Sequence, residues 1–164
     1  MMLRKLIDTV LFWALVALMS FMTLNVLWQV ASRYLMSSPS SFTDELARYL
    51  LIWVGLLGAS YVTGKKLHLA IDILPSKLTG TKERNLNIVI NMLVAIFALL
   101  VMVWGGIKLV YITLTLEQTS ASLNVPLGYV YSVLPLSGIL IVYYSIANLF
   151  EKRPEAEVVG KEMF

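Results

Sequence analysis

The chain has no cysteine, one histidine and few charges: of its 164 residues only 14% are Asp, Glu, Lys or Arg. The missing cysteine removes disulfide frameworks, thiolate metal sites and thiol redox chemistry together. A single histidine, His68, is a poor basis for a transmembrane cytochrome, whose haem is usually held by histidines on the helices. The shortage of charge excludes an ordinary soluble domain, in which about a quarter of residues are charged. Residues that are 59% apolar also exceed what one soluble core of this size can hide. A net charge of +3 is small for nucleic-acid binding, and the basic residues sit beside apolar runs, not on one face among aromatics. No nucleophile with a base, phosphate-binding loop or metal-ligand spacing appears, so no catalytic, metal or cofactor site is expected.

What the sequence has instead is long uncharged runs: Thr9 to Ser32, Tyr49 to Gly64, Asn85 to Ile107 and Gln118 to Phe150. About 20 mostly apolar residues cross a hydrocarbon core of about 30 Å. The first, third and fourth runs suffice as they stand. The second is extended by Leu46 and Ala47, with Arg48 and Lys65 able to hold their charges at the interface while burying their stems. The fold class expected is an all-α integral membrane protein of four transmembrane helices, with spans near 9–32, 44–64, 86–113 and 128–150 and a tail over 151–164. The third helix can run on through Lys108 to about Leu116, longer than a bilayer requires. Pro135 should kink the fourth, whereas Pro126 lies before it.

Arg4 and Lys5 precede an apolar run too long for the core of a cleavable secretion signal, so this run is taken as an uncleaved first span. Ten basic residues (Arg4, Lys5, Lys65, Lys66, Lys77, Lys82, Arg84, Lys152, Arg153, Lys161) fall on one side, against Arg33, Arg48 and Lys108 toward the other. The positive-inside rule therefore puts both termini and the central loop in the cytoplasm. Ser41-Phe42-Thr43-Asp44 resembles a capping box and marks the start of helix two. In the central loop, Leu67, Ala70, Ile71, Leu74 and Leu78 recur at helical spacing opposite His68, Asp72 and Lys77, as in a short amphipathic helix on the membrane surface. The alternation of Leu67, Leu69, Ile71 and Ile73 leaves a strand open.

The remaining polar residues have two readings each. Asn25, Gln29 and Arg33 form a stripe at four-residue steps on the outer end of helix one, and Asn87 and Asn91 a pair near the inner end of helix three. Both sets suit pairing within the bundle or contact with another membrane subunit. Trp28, Trp53, Trp104 and Lys108 are expected as interfacial anchors, with a cation–π contact open to Trp104 and Lys108. Asp44, Glu45 and Arg48 open helix two on the outer side, with Arg33 nearby, and Glu117 and Gln118 lie on the second outer loop. These six are either solvated helix ends or a docking patch for a protein on that face. Every Asp and Glu lies near a span end or in a loop, which argues against a proton-coupled carrier.

The run Phe42-Thr43-Asp44-Glu45-Leu46-Ala47-Arg48-Tyr49-Leu50-Leu51-Ile52-Trp53, then Gly55, Gly58-Ala59 and His68-Leu69-Ala70-Ile71-Asp72, resembles the small membrane subunit of tripartite ATP-independent periplasmic transporters, the DctQ family. The second half adds Gly105-Gly106, the stretch Gln118-Thr119-Ser120-Ala121-Ser122-Leu123-Asn124-Val125-Pro126, and Tyr131 with Leu134-Pro135-Leu136-Ser137-Gly138. Family members commonly show Q-x-S-x-x-L-x-x-P before the last span, and the resemblance covers nearly the whole chain. It implies a bacterial inner-membrane complex in which a DctP-like periplasmic protein captures an organic acid and delivers it to a DctM-like large subunit. That partner would move the acid inward with sodium ions. The present chain would scaffold the partner and offer part of the docking surface. The family handles C4-dicarboxylates, sialic acid and other carboxylates; the residues do not single one out, and sialic acid is the choice if one must be named. The rivals are an independent small carrier or channel, a membrane enzyme or redox subunit, and a scaffold for an unrelated complex.

Overall fold

The computed structural model describes residues 2–35, 41–65 and 81–150. The expected amphipathic segment between helices two and three and the tail over 151–164 lie outside the described residues. Within them the chain is helical apart from its last loop: α1 (Met2–Leu35), α2 (Ser41–Lys65), α3 (Thr81–Phe97), a π-helical stretch (Ala98–Gly105), α4 (Gly106–Thr115), α5 (Leu127–Tyr131) and α6 (Val133–Phe150). Four helical runs are long and apolar enough to cross a membrane: Arg4–Leu35, Ser41–Lys65, Asn85–Thr115 and Leu127–Leu149. The third joins α3, the π stretch and α4; the fourth joins α5 and α6.

Helix one packs along α2, α2 against α6, and the third span against the fourth. The fourth span is the central one, since it buries 39% of its apolar stretch inside the bundle, against 11% for the first and third. Its buried residues join both sides. Val133 and Tyr144 pack with Leu11 and Leu57, while Ile141 packs with Ala98 and Met102 of the third span. Phe21, Leu24, Leu93, Phe97 and Leu100 remain exposed on the outside, which suits a protein whose solvent is lipid.

The fourth span is interrupted at Ser132, one turn before Pro135. Proline has no N–H for the Tyr131 carbonyl and its ring crowds that turn. The third and fourth spans approach most closely at two glycines. A Cβ on Gly106 would lie 2.9 Å from Pro135 Cδ, and one on Gly138 would lie 2.8 Å from Met102 Cβ and 3.1 Å from the Val103 backbone nitrogen. Small residues at such crossings let membrane helices gain van der Waals contact.

Candidate functional site

Polar side chains gather at the two ends of the bundle. At the end where α2 begins, the Asn25 amide donates to the Thr43 carbonyl at 2.8 Å and Gln29 donates to Asp44 at 3.1 Å. Both bonds tie α1 to α2. Asp44 also takes an ion pair from Arg48 one turn on. The acid stands first in that pair and in the first turn of α2, the orientation a helix dipole favours. Arg48 and Asp44 are 73% and 47% exposed as side chains, so their charges are available to a partner. Arg33 is exposed and forms no ion pair with either carboxylate among the described residues.

Glu45 is differently occupied. One oxygen accepts the Tyr49 hydroxyl at 2.7 Å, and the other accepts the backbone N–H groups of Ser122 at 2.7 Å and Leu123 at 3.2 Å. Those two amides belong to the loop between α4 and α5. The carboxylate therefore pins a loop 77 residues away in sequence, and the two motif runs that stand apart in the sequence meet as one structure.

The loop itself has a readable construction. At the end of α4, Glu117 N–H donates to Leu114 and Gln118 N–H to Thr113, the paired bonds of a Schellman cap. Glu117 takes the left-handed position of that cap at φ 48, where glycine is normally preferred. Thr119 and Pro126 then form an antiparallel bridge. Ser120, buried, accepts the Leu123 N–H on its hydroxyl at 3.1 Å. Asn124 supplies the second left-handed residue at φ 52, and Pro126 caps α5. Gln118, Ser120, Leu123 and Pro126 thus each hold a turn of this loop. Glu117→Gly should relieve the left-handed cost of about 1 kcal/mol and raise the thermal midpoint of the purified protein by a few degrees. A lower midpoint would mean that the Glu117 side chain does something the fold has not disclosed.

At the opposite end a second network appears that the sequence did not single out. Asp8 accepts the hydroxyl of fully buried Tyr144 at 2.6 Å and pairs with Lys65 at 3.0 Å. Arg4 donates to the Gly64 carbonyl at 2.5 Å and to the Asn148 side chain at 3.1 Å, while Asn148 donates to the Thr63 carbonyl at 3.0 Å. Those carbonyls belong to the last turn of α2, where the helix has no partners of its own for them. Arg4 and Asn148 supply them. Gly64 is required because a Cβ there would lie 2.7 Å from the Tyr144 ring. The available signal was weak: Arg4, Asp8 and Lys65 look like ordinary span-end charges, and nothing local pairs residue 8 with residue 144.

The other expected residues fall as follows. Asn91 donates to the Asn87 carbonyl at 2.8 Å within its own helix, and no bond to a neighbouring helix is found for either among the described residues. Trp28 and Trp104 are exposed. Trp53 is half-buried and donates its indole N–H to the Val130 carbonyl at 3.1 Å, bracing α2 against α5. Lys108 is exposed on α4 with no partner among the described residues. Gly106 lies beside Leu134 and Pro135, and Leu114 beside Gly128. Lys108 lies between those levels, seven residues before the end of α4 at Thr115.

Comparison with known proteins follows the same lines. The family described as "Tripartite ATP-independent periplasmic transporters, DctQ component" matches residues 22–154. A TRAP transporter small permease protein from Haemophilus influenzae is 27% identical over 134 residues, covering 82% of this chain and 81% of that protein. The sialic acid TRAP transporter small permease protein SiaQ of Vibrio cholerae is 28% identical over 153 residues, covering 91% and 84% respectively. The isethionate TRAP transporter permease protein DctMQ of Oleidesulfovibrio alaskensis is 26% identical over 125 residues, 75% of this chain but 20% of that longer protein.

Proposed function

Because the chain belongs to the DctQ family, the small permease component of tripartite ATP-independent periplasmic (TRAP) transporters, we propose that it is the fixed scaffold of a secondary transporter importing an organic acid. The observation that carries this is where its polar groups are committed. The third and fourth spans contain no Asp or Glu, and the acids of the first two stand at the bundle ends. Hydrogen bonds from Trp53 to Val130 and from Ser60 to Ser137 brace the middle. A frame needs such bracing, whereas a carrier needs polar groups converging on a route. Substrate and sodium sites would then belong to a DctM-like large subunit. The match to a fifth of a much longer permease protein supports such a membrane partner.

The distribution of lysine and arginine supports both termini in the cytoplasm of a bacterial inner membrane, with the Asp44–Arg48 end outside. There the exposed Asp44–Arg48 pair would meet a DctP-like binding protein, with Arg33, Glu117 and Gln118 at the same end. Glu45 serves this surface by holding its loop. For the cargo, relatives named for sialic acid and for isethionate align at 28% and 26%, which supports an organic anion.

The test is a pull-down from native membranes in mild detergent, with uptake measured in parallel. A large polytopic protein should co-purify in fixed ratio. Arg48→Glu should lower uptake roughly threefold to tenfold through weaker encounter while leaving that ratio unchanged. A chain that emerges alone and transports by itself in liposomes would end the scaffold assignment; unaltered uptake in Arg48→Glu would end the docking one.

A further inference from the structure

We infer that Lys108, with Trp104 and Tyr111 beside it, marks the face of the third span that meets the large membrane subunit, through an Asp or Glu carboxylate on one of that partner's membrane helices. The inference rests on the scaffold function proposed above and adds which surface carries the contact.

Lys108 lies in a helical run, Asn85–Thr115, that contains no other charged residue. Trp104 is 75% and Tyr111 68% exposed, one turn to either side of it. Met102, Gly106 and Thr113 are buried on the other side of the run, so the lysine is turned away from its own bundle. Its height decides what can neutralise it. Gly106 lies against Leu134 and Pro135. Trp53 bonds to Val130, and Ser60 to Ser137. Lys108 is therefore level with α2 between Trp53 and Ser60, near Leu56.

From Leu56 both charged ends of α2, Arg48 and Lys65, are about 12 Å or more away at 1.5 Å per residue. The end of the lysine's own helix at Thr115 is nearer, about 10 Å away, and a four-carbon stem that leaves the helix tilted toward the opposite end falls short of it. An ammonium held among apolar side chains at mid-height is costly unless an opposite charge comes to it there. No carboxylate of the described residues does so. The counter-charge that fits this place is a carboxylate brought by a second membrane protein at the same depth. The lysine is flanked by two large aromatic side chains, the residue types that form the desolvated centre of interfaces.

The chain has no cysteine, and Tyr111 accepts another aromatic group without a change of surface type. The experiment places the photo-reactive p-benzoylphenylalanine at position 111, and separately at Phe21 on the exposed side of α1, in the intact complex in its own membrane. Illumination should join position 111 to the large subunit in high yield and position 21 to it weakly or not at all. In unlabelled complexes, Lys108→Glu should reduce the co-purified large subunit on the order of tenfold. Lys108→Arg should retain it, and the membrane level of the chain itself should be unchanged in both. If the large subunit co-purifies normally but position 111 labels only phospholipid or a second copy of this chain, the assigned face is wrong and the scaffold function stands. Retention of the large subunit by Lys108→Glu overturns the ion pair. If no large subunit accompanies the unaltered chain, the scaffold function fails and this inference with it.

Discussion

Replacing Gly138 with valine is expected to force the third and fourth spans apart and to be among the most damaging single changes in the chain. The first added carbon alone would lie 2.8 Å from Met102 Cβ, 2.9 Å from Val103 Cγ2 and 3.1 Å from a backbone nitrogen. A backbone atom cannot rotate away as a flexible side chain can, so the helices themselves must separate. Overpacking of this kind costs about 1–3 kcal/mol, with the upper end expected where backbone is met. For a chain of this size about 3 kcal/mol corresponds to roughly 6–12 °C in the thermal midpoint. Gly55→Ala is the matched control, because nothing lies within 4 Å of the added carbon there. A glycine-to-alanine change inside a helix at an open site is mildly stabilising. Thermal unfolding of the two purified variants checks both. A Gly138→Val protein that melts with the unaltered one would mean that the close crossing of these spans does not hold.

Asp8→Ala should release the amino-terminal half of α1 from the bundle. The ion pair with Lys65 is the smaller part of the effect, since that lysine is 40% exposed and solvent screens it. The larger part is the Tyr144 hydroxyl, which is left without its acceptor inside the packed bundle; an orphaned buried donor costs about 1–3 kcal/mol. Tyr144→Phe removes the donor as well as the need for an acceptor. The loss caused by Asp8→Ala should therefore shrink by more than half when it is made in the Tyr144→Phe background. Protease susceptibility near Thr9, read alongside the thermal midpoint, separates detachment of α1 from global unfolding. Additive effects of the two changes would show that the 2.6 Å contact contributes little.

Much of the fold was legible because lipid is a demanding solvent. A run such as Asn85 to Ile107 without a charge has few structures open to it other than a helix crossing the membrane or packed inside it. Pro135 announced the interruption of the fourth span one turn ahead of itself, for want of an N–H. The pairing of Asn25 and Gln29 with α2 was one of the two readings open from their spacing. The bond from Trp53 to the Val130 carbonyl was not legible. A tryptophan that braces two helices looks the same in sequence as one that does not, since the contact depends on how each helix is offset against its neighbour.

The sequence by itself determined the solvent, the helices, the breaks between them and, through two motif runs, the family. Each of these depends on residues close together along the chain, where hydropathy and missing N–H groups act locally. Only the tertiary structure decided that Glu45 holds the loop of the second motif, leaving the exposed charge to Asp44 and Arg48. It also joined Asp8 to Tyr144 and to Lys65. Those relations hold between residues 57 or more positions apart wherever an ion pair or hydrogen bond fixes them. They follow from the register at which long helices pack, which close contacts such as those at Gly106 and Gly138 set and which no single helix encodes.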